Sequence, residues 1–374
     1  MRSVEGMRPC PGLSVPMVTV LDEAGGLIEA DQRAAVRFVI QSGCGADVVF
    51  AAGTTGEWDR LPGSVSRCAV RVCSEEVAKA NAGLDPSQGR GVEAWAGVTA
   101  HTARETLENL DFAIETGADA AVLAPLSIRG LDDQVRFLTR EVADLLDARA
   151  RRIPVYLYDN AEIAADPAVP HIRTRQVKAM SRLDFVCGIK VSAPRKVLGN
   201  YTRAAAGFRE RGEFGIYVGR AMLIFDIFRP HPGWLGAIAE RWNRRRLRGG
   251  IPIGVVPGPA NAMPREWARA WQVSRAGDAE CMDQAREVLE AFRRATAEVG
   301  GGHAIACFKR ALRSMGVITS AAVAPGTPAL EAQQAERFDA AFNRVRALAR
   351  ERIGRPWVTV APADTNAAAG GPPS

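Results

Sequence analysis

The chain has 374 residues, of which 47% are hydrophobic and 24% charged, with a net charge of +6. These totals predict a globular protein, long enough for one large α/β barrel with additions or for two ordinary domains. No run of about 18 uninterrupted apolar residues occurs, which argues against a spanning helix. Nor does the N-terminus, MRSVEGMRPCPG, carry the apolar region of a signal peptide. Seven cysteines without a CxxC pair predict reduced thiols in a cytoplasmic protein rather than a disulfide framework. Cys68 and Cys73 lack zinc-knuckle spacing, and with four histidines in all no metal site is expected.

Apolar, β-rich runs alternate with amphipathic segments along most of the chain. Strands are predicted at Leu13–Val20, Ala46–Ala52, Val92–Val98, Asp119–Ala124, Ile153–Tyr158, Phe185–Val191, Phe214–Val218 and Ile253–Val256. Helical spacing marks Asp31–Gln41, with Gly43 as a C-terminal stop, and also Ala103–Glu115 and Asp132–Leu146. Eight such alternations imply a parallel sheet, and the count favours a closed (β/α)8 TIM barrel over an open sheet. A dinucleotide-binding reading would need GxGxxG after the first strand, and that is absent. The barrel is predicted over 12–276, with an insertion near 227–250. Helices at Ala279–Ala297, His303–Met315 and Ala332–Arg352 then form a helical layer over 277–355, before a disordered tail at 356–374.

In such a barrel the reacting groups come from the C-terminal ends of the strands. Strand six ends in Gly188-Ile189-Lys190-Val191-Ser192. A lysine at the buried end of a strand loses hydration, which favours the neutral amine and makes it a nucleophile towards carbonyls; the plain alternative is a lysine that has just reached solvent. Strand two ends in Gly53-Thr54-Thr55-Gly56-Glu57, two hydroxyls between glycines that suit a carboxylate, or else an ordinary turn. Tyr156 and Tyr158 share one face of strand five, where a hydroxyl at the strand end can relay a proton, or else one tyrosine merely packs in the barrel and the other caps it. Strand seven ends in Val218-Gly219-Arg220, and strand eight runs into a Gly/Pro-rich loop, Val256 to Pro264, able to surround a small anion.

Together, GTTGE, the P-x-x-x-Y strand, G-I-K and G-V-V-x(4)-N-x-x-P resemble the dihydrodipicolinate synthase/N-acetylneuraminate lyase family over roughly residues 12–315. The resemblance implies a class I aldolase or lyase acting on pyruvate or a pyruvate-derived 2-oxo acid. Lys190 then matches the Schiff-base lysine and Tyr158 the proton-shuttling tyrosine. Thr54 and Thr55 match the pair that holds the substrate carboxylate and joins the relay, with Gly219 and Val256 as backbone contacts. No cofactor is implied, and a homotetramer or homodimer is.

Two positions depart from the synthase branch. Its strand-four tyrosine is replaced here within Ala124-Pro125-Leu126-Ser127, where Ser127 or a water would have to stand in. Its substrate-binding arginine is replaced by Ile163, which cannot make a bidentate carboxylate bond. Asp159 and Asn160 offer hydroxyl-binding groups instead, which leans towards a 2-keto-3-deoxy sugar acid. The synthase reaction itself and a non-catalytic 2-oxo acid sensor are the alternatives. The inserted piece holds His231, Trp234, Trp242 and five arginines within 241–248. It reads as a packing or subunit-contact helix, or as a clamp that adds Arg220 to the site mouth. No nucleic-acid or membrane partner is expected, because the arginine run lacks interleaved stacking residues.

Overall fold

The computed structural model describes residues 7–83, 91–149, 151–208, 214–230 and 251–354. Most of the insertion (231–250) and the tail (356–374) lie outside these residues. Eight parallel strands close into a barrel in chain order: β1 (Gly12–Pro16), β2 (Val48–Ala51), β3 (Glu93–Gly97), β4 (Ala120–Leu123), β5 (Val155–Asp159), β6 (Val186–Val191), β7 (Gly215–Val218) and β8 (Gly254–Val255). Every predicted strand is present. β1 is shorter than expected: Met17 N still donates to Phe50 O of β2 at 2.8 Å, but Val18 and Val20 turn their N–H groups to side chains. Val18 N donates to Asn261 Oδ1 at 3.1 Å, and Val20 N donates to Gln32 Oε1 at 2.9 Å.

A helix follows each strand. These are α1 (Glu29–Ile40), α2 (Gly63–Ala82), α3 (Ala103–Glu115), α4 (Gln134–Phe137), α5 (Thr174–Met180), α6 (Arg195–Ala204), α7 (Ile224–Ile227) and α8 (Pro264–Ala276). The α3 helix shows how sequence sets the ends. Thr102 accepts from Glu105 N and donates to the Glu105 carboxylate, while Thr106, Leu110, Ala113 and Ile114 form the buried face. After α4 the same rod continues through a wider π winding, Leu138–Val142, into the helix Ala143–Ala148, a widening the apolar periodicity does not announce.

Past the barrel come α9 (Ala279–Ala297), α10 (Ala304–Ser314) and α11 (Ala332–Ile353). Phe292 packs against Phe308, Phe338 and Phe342 at ring separations of 6.2, 6.3 and 5.7 Å. These rings share one apolar cluster with Trp267 and Trp271 of α8 and with the outward faces of the strands, so the helical layer and the barrel are fused through their cores.

The barrel interior is a second, separate cluster containing Val48, Phe50, Trp95, Val122, Tyr156, Tyr158, Tyr217 and Val256. Its lower part is an aromatic plug. Trp95 stacks on Tyr156 at 4.0 Å, and Tyr217 meets both rings edge-on at 5.3 and 5.4 Å. Room for Tyr217 comes from Gly254, where a Cβ would lie 2.4 Å from the ring. Filled below, the barrel leaves Lys190, Tyr158 and the Thr54–Gly56 turn at the upper, C-terminal rim.

Candidate active site

Strand register places the two central residues side by side. Tyr158 of β5 pairs with Lys190 of β6, so their side chains enter the barrel together. Lys190 Nζ lies 4.0 Å from the centre of the Tyr158 ring and 4.9 Å from that of Phe50. Only 5% of the Lys190 surface is exposed. Burial pulls its pKa below the ordinary lysine value, against the opposing pull of Tyr158.

Tyr158 is a hydrogen-bond hub. Its hydroxyl lies 3.2 Å from Thr54 Oγ1, accepts from Asn160 Nδ2 at 3.1 Å, and accepts from Ser192 Oγ at 3.4 Å. Burial alone would raise its pKa. The neighbouring Lys190 charge and the three hydrogen bonds outweigh that, so the phenol falls below the usual tyrosine value.

Thr54 and Thr55 sit in a short turn, Thr54–Gly56, directly after β2. A Cβ on Gly258 would come within 3.4 Å of Thr55 Oγ1, which puts the strand-eight loop against this turn. Val256 closes the interior cluster at the same rim. Gly219 must be a glycine, since a Cβ there would lie 2.1 Å from Ser192 Oγ. Asn261 ties the rim together: its Nδ2 donates to Pro16 O at 2.7 Å and to Gly258 O at 2.9 Å.

The predicted residues Lys190, Tyr158, Thr54, Thr55, Gly219, Val256 and Asn160 therefore all lie at the strand ends, and the first three are in a chain of contacts. Asp159 is different. Alternation along β5 turns it away from the interior, and it is fully buried, with Oδ2 2.8 Å from His171 Nδ1 and Oδ1 accepting from Ile172 N at 2.8 Å. Burial raises its pKa despite these contacts. The expected hydroxyl-binding role is corrected accordingly: both oxygens are already used, and Asp159 anchors the loop at 171–172.

Asn160 is also more engaged than expected, since its Oδ1 accepts from Glu162 N at 3.2 Å while its amide holds Tyr158. Ile163 packs on the interior cluster, an apolar cap at the rim. The Ser127 hydroxyl is buried and has no hydrogen-bond partner among the described residues. Arg220 is exposed at the end of β7. Sequence reasoning missed Phe50 and Ser192; period-two alternation from Val48 and from Lys190 was the signal that could have found both.

Among the described residues, no group of three or more His, Cys, Asp or Glu side chains is placed to hold a metal. No described helix is long and apolar enough to cross a membrane.

No protein-family model and no curated protein sequence matches the chain. Solved structures do match it closely in fold. YagE from E. coli K12, a prophage protein of the dihydrodipicolinic acid synthase family in complex with pyruvate, is 18% identical with a TM-score of 0.69, covering 90% of this chain and 98% of its own. Dihydrodipicolinate synthase from Bacteroides thetaiotaomicron is 19% identical, TM-score 0.69, with 90% and 99% covered. A Ruminococcus gnavus sialic acid aldolase, a catalytic lysine mutant, is 15% identical, TM-score 0.70, with 92% and 100% covered. At these identities the likeness establishes the fold, a (β/α)8 barrel with a C-terminal helical extension shared with these lyases and synthases.

Proposed function

We propose that the protein is a class I, Schiff-base-forming lyase or aldolase acting on pyruvate or a pyruvate-derived 2-oxo acid. The observation that carries this reading is the buried Lys190 amine against the Tyr158 ring at the barrel's reactive rim. The neutral amine attacks the ketone carbon, and the carbinolamine oxygen leaves as water once protonated, which gives an iminium on Lys190. The iminium draws electrons from the adjacent carbon, so a C–C bond there breaks or forms through the enamine. Tyr158, wired to Thr54, is the group placed to deliver and recover the protons of these steps. Thr54 and Thr55 would hold the substrate carboxylate with donors that need not move during reaction.

The fold likeness to a pyruvate complex and to a sialic acid aldolase supports the 2-oxo acid reading. On the partner side of the site, Ile163 offers an apolar surface and Asp159 faces elsewhere. Support for a 2-keto-3-deoxy sugar acid therefore rests on Asn160 alone, and the reading that fits best names the 2-oxo acid.

The test is borohydride trapping. Pyruvate plus borohydride should add a stable mass on Lys190, and Lys190→Ala should abolish it. The trapping rate should rise with pH as the amine deprotonates, and level off below the ordinary lysine range because burial lowers that pKa. Failure to trap pyruvate or any small 2-oxo acid overturns the proposal. Trapping without turnover on a panel of aldehydes would show a 2-oxo acid sensor instead.

A further inference from the structure

Glu57 and Lys309 lie 252 positions apart in the chain, yet they form an ion pair at 2.6 Å with both side chains 0% exposed. Every polar end is used. Lys309 Nζ also donates to Ala322 O at 2.8 Å, and Ala324 N donates to Glu57 Oε1 at 2.8 Å. Two charges removed from water are costly, and an apolar pair of similar volume commonly fills such a space as well or better. Burial accordingly pulls the Lys309 pKa down, against Glu57.

The pair also sits on a strained residue. Glu57 has φ 61, in the left-handed region that non-glycine residues rarely occupy, and its N–H closes the Thr54–Gly56 turn on Thr54 O at 3.1 Å. Thr19 Oγ1 holds Gly56 O from the other side at 2.8 Å. The same turn carries the Thr54 hydroxyl, 3.2 Å from Tyr158 OH.

We propose that Lys309 is a positioning residue: through Glu57 it clamps the Thr54–Gly56 turn and so fixes the Thr54–Tyr158 hydrogen bond. The helical layer outside the barrel then contributes to the reactive centre through one buried ion pair. The consequence for reaction rate rests on the Schiff-base reading above; the consequence for the Tyr158 phenol does not.

The decisive variant is the double Glu57→Gln/Lys309→Met. Lys309→Met alone would leave a lone buried carboxylate and risks not folding. The double removes both charges and keeps an acceptor for Ala324 N. Two readouts separate positioning from mere support: the rate of pyruvate trapping, and the titration of Tyr158 followed by NMR of 13C-labelled tyrosine. The chain has four tyrosines, and burial holds the other three, Tyr156, Tyr201 and Tyr217, above the ordinary value. Tyr158 therefore titrates first.

We expect the folded double variant to trap pyruvate about ten-fold more slowly, as a relaxed reacting geometry does, with a higher Tyr158 midpoint from the loosened Thr54 bond. An unchanged rate together with an unchanged midpoint overturns the proposal. If the parent protein traps nothing, the Schiff-base reading fails, and the Tyr158 midpoint alone decides this one. Should that double variant not fold, Glu57→Gln/Lys309→Gln, which is also free of charge and keeps a donor for Ala322 O as well as an acceptor for Ala324 N, is judged by the same readouts.

Discussion

Tyr156 and Tyr158 stand two residues apart on one strand and point into the same barrel, and both are almost wholly buried. Burial pushes the Tyr156 phenol well above its ordinary value, and neighbouring groups such as Glu93 reinforce the shift. Tyr158 moves the opposite way, because Lys190 and three hydrogen-bonding side chains more than offset the same desolvation. Depth in the protein therefore does not decide what a buried phenol can do; its company does. In the lower layer the company is Trp95 and Tyr217, and the ring is filling. In the upper layer it is an amine, two hydroxyls and an amide, the company that the proposed proton relay requires.

The largest effect should come from erasing the upper hydroxyl. Tyr158→Phe keeps the ring under the Lys190 amine but removes the hub of the relay. Turnover should fall by about 10²–10⁴-fold, the usual worth of positioned acid–base help. Single-turnover kinetics with the reactive 2-oxo acid would check it, and an unaltered rate removes Tyr158 from the chemistry.

A middle-sized effect should come from the lower layer, and in stability rather than rate. A Cβ introduced by Gly254→Ala would lie 2.4 Å from Tyr217 and 2.9 Å from the backbone oxygen of Gly12. The Tyr217 ring is held against Trp95 and Tyr156 and by its hydroxyl donating to Cys10 O at 2.6 Å, so it has nowhere to yield. Overpacking of this kind costs about 1–3 kcal/mol. Denaturant unfolding should show that loss, and a stability equal to the parent's would mean that the plug is softer than its geometry indicates.

The barrel was legible in the sequence because each strand is an apolar run bounded by a helical pattern, and the ends of those runs placed Lys190, Tyr158 and Thr54 at one rim. Asp159 was misread because the alternation that put Tyr156 and Tyr158 on one face was not carried one residue further, where it turns the carboxylate outward. The buried pair of Glu57 and Lys309 was invisible for another reason. A lysine in a helix reads as surface, and nothing local records a partner 252 residues away. The π winding after α4 and the early end of β1 are likewise unmarked in the local periodicity. Local periodicity carries the scaffold and the residues at its rim, while the clamps behind the rim are long-range.

The smallest effect completes the contrast between the tyrosines. The Tyr156 hydroxyl accepts from Cys10 N at 3.2 Å, away from the hydrogen bonds that converge on Tyr158. Tyr156→Phe preserves the stack on Trp95 and the edge contact with Tyr217, so only the hydroxyl's hydrogen bonding is lost. That loss is worth about 1 kcal/mol, and the slope of unfolding against denaturant should not change, because the surface exposed on unfolding stays the same. Its trapping rate should stay within about two-fold of the parent, since no acid–base group is removed. A Tyr156→Phe variant as slow as Tyr158→Phe would show that the two layers are not separable, and that the plug itself sets the position of Lys190.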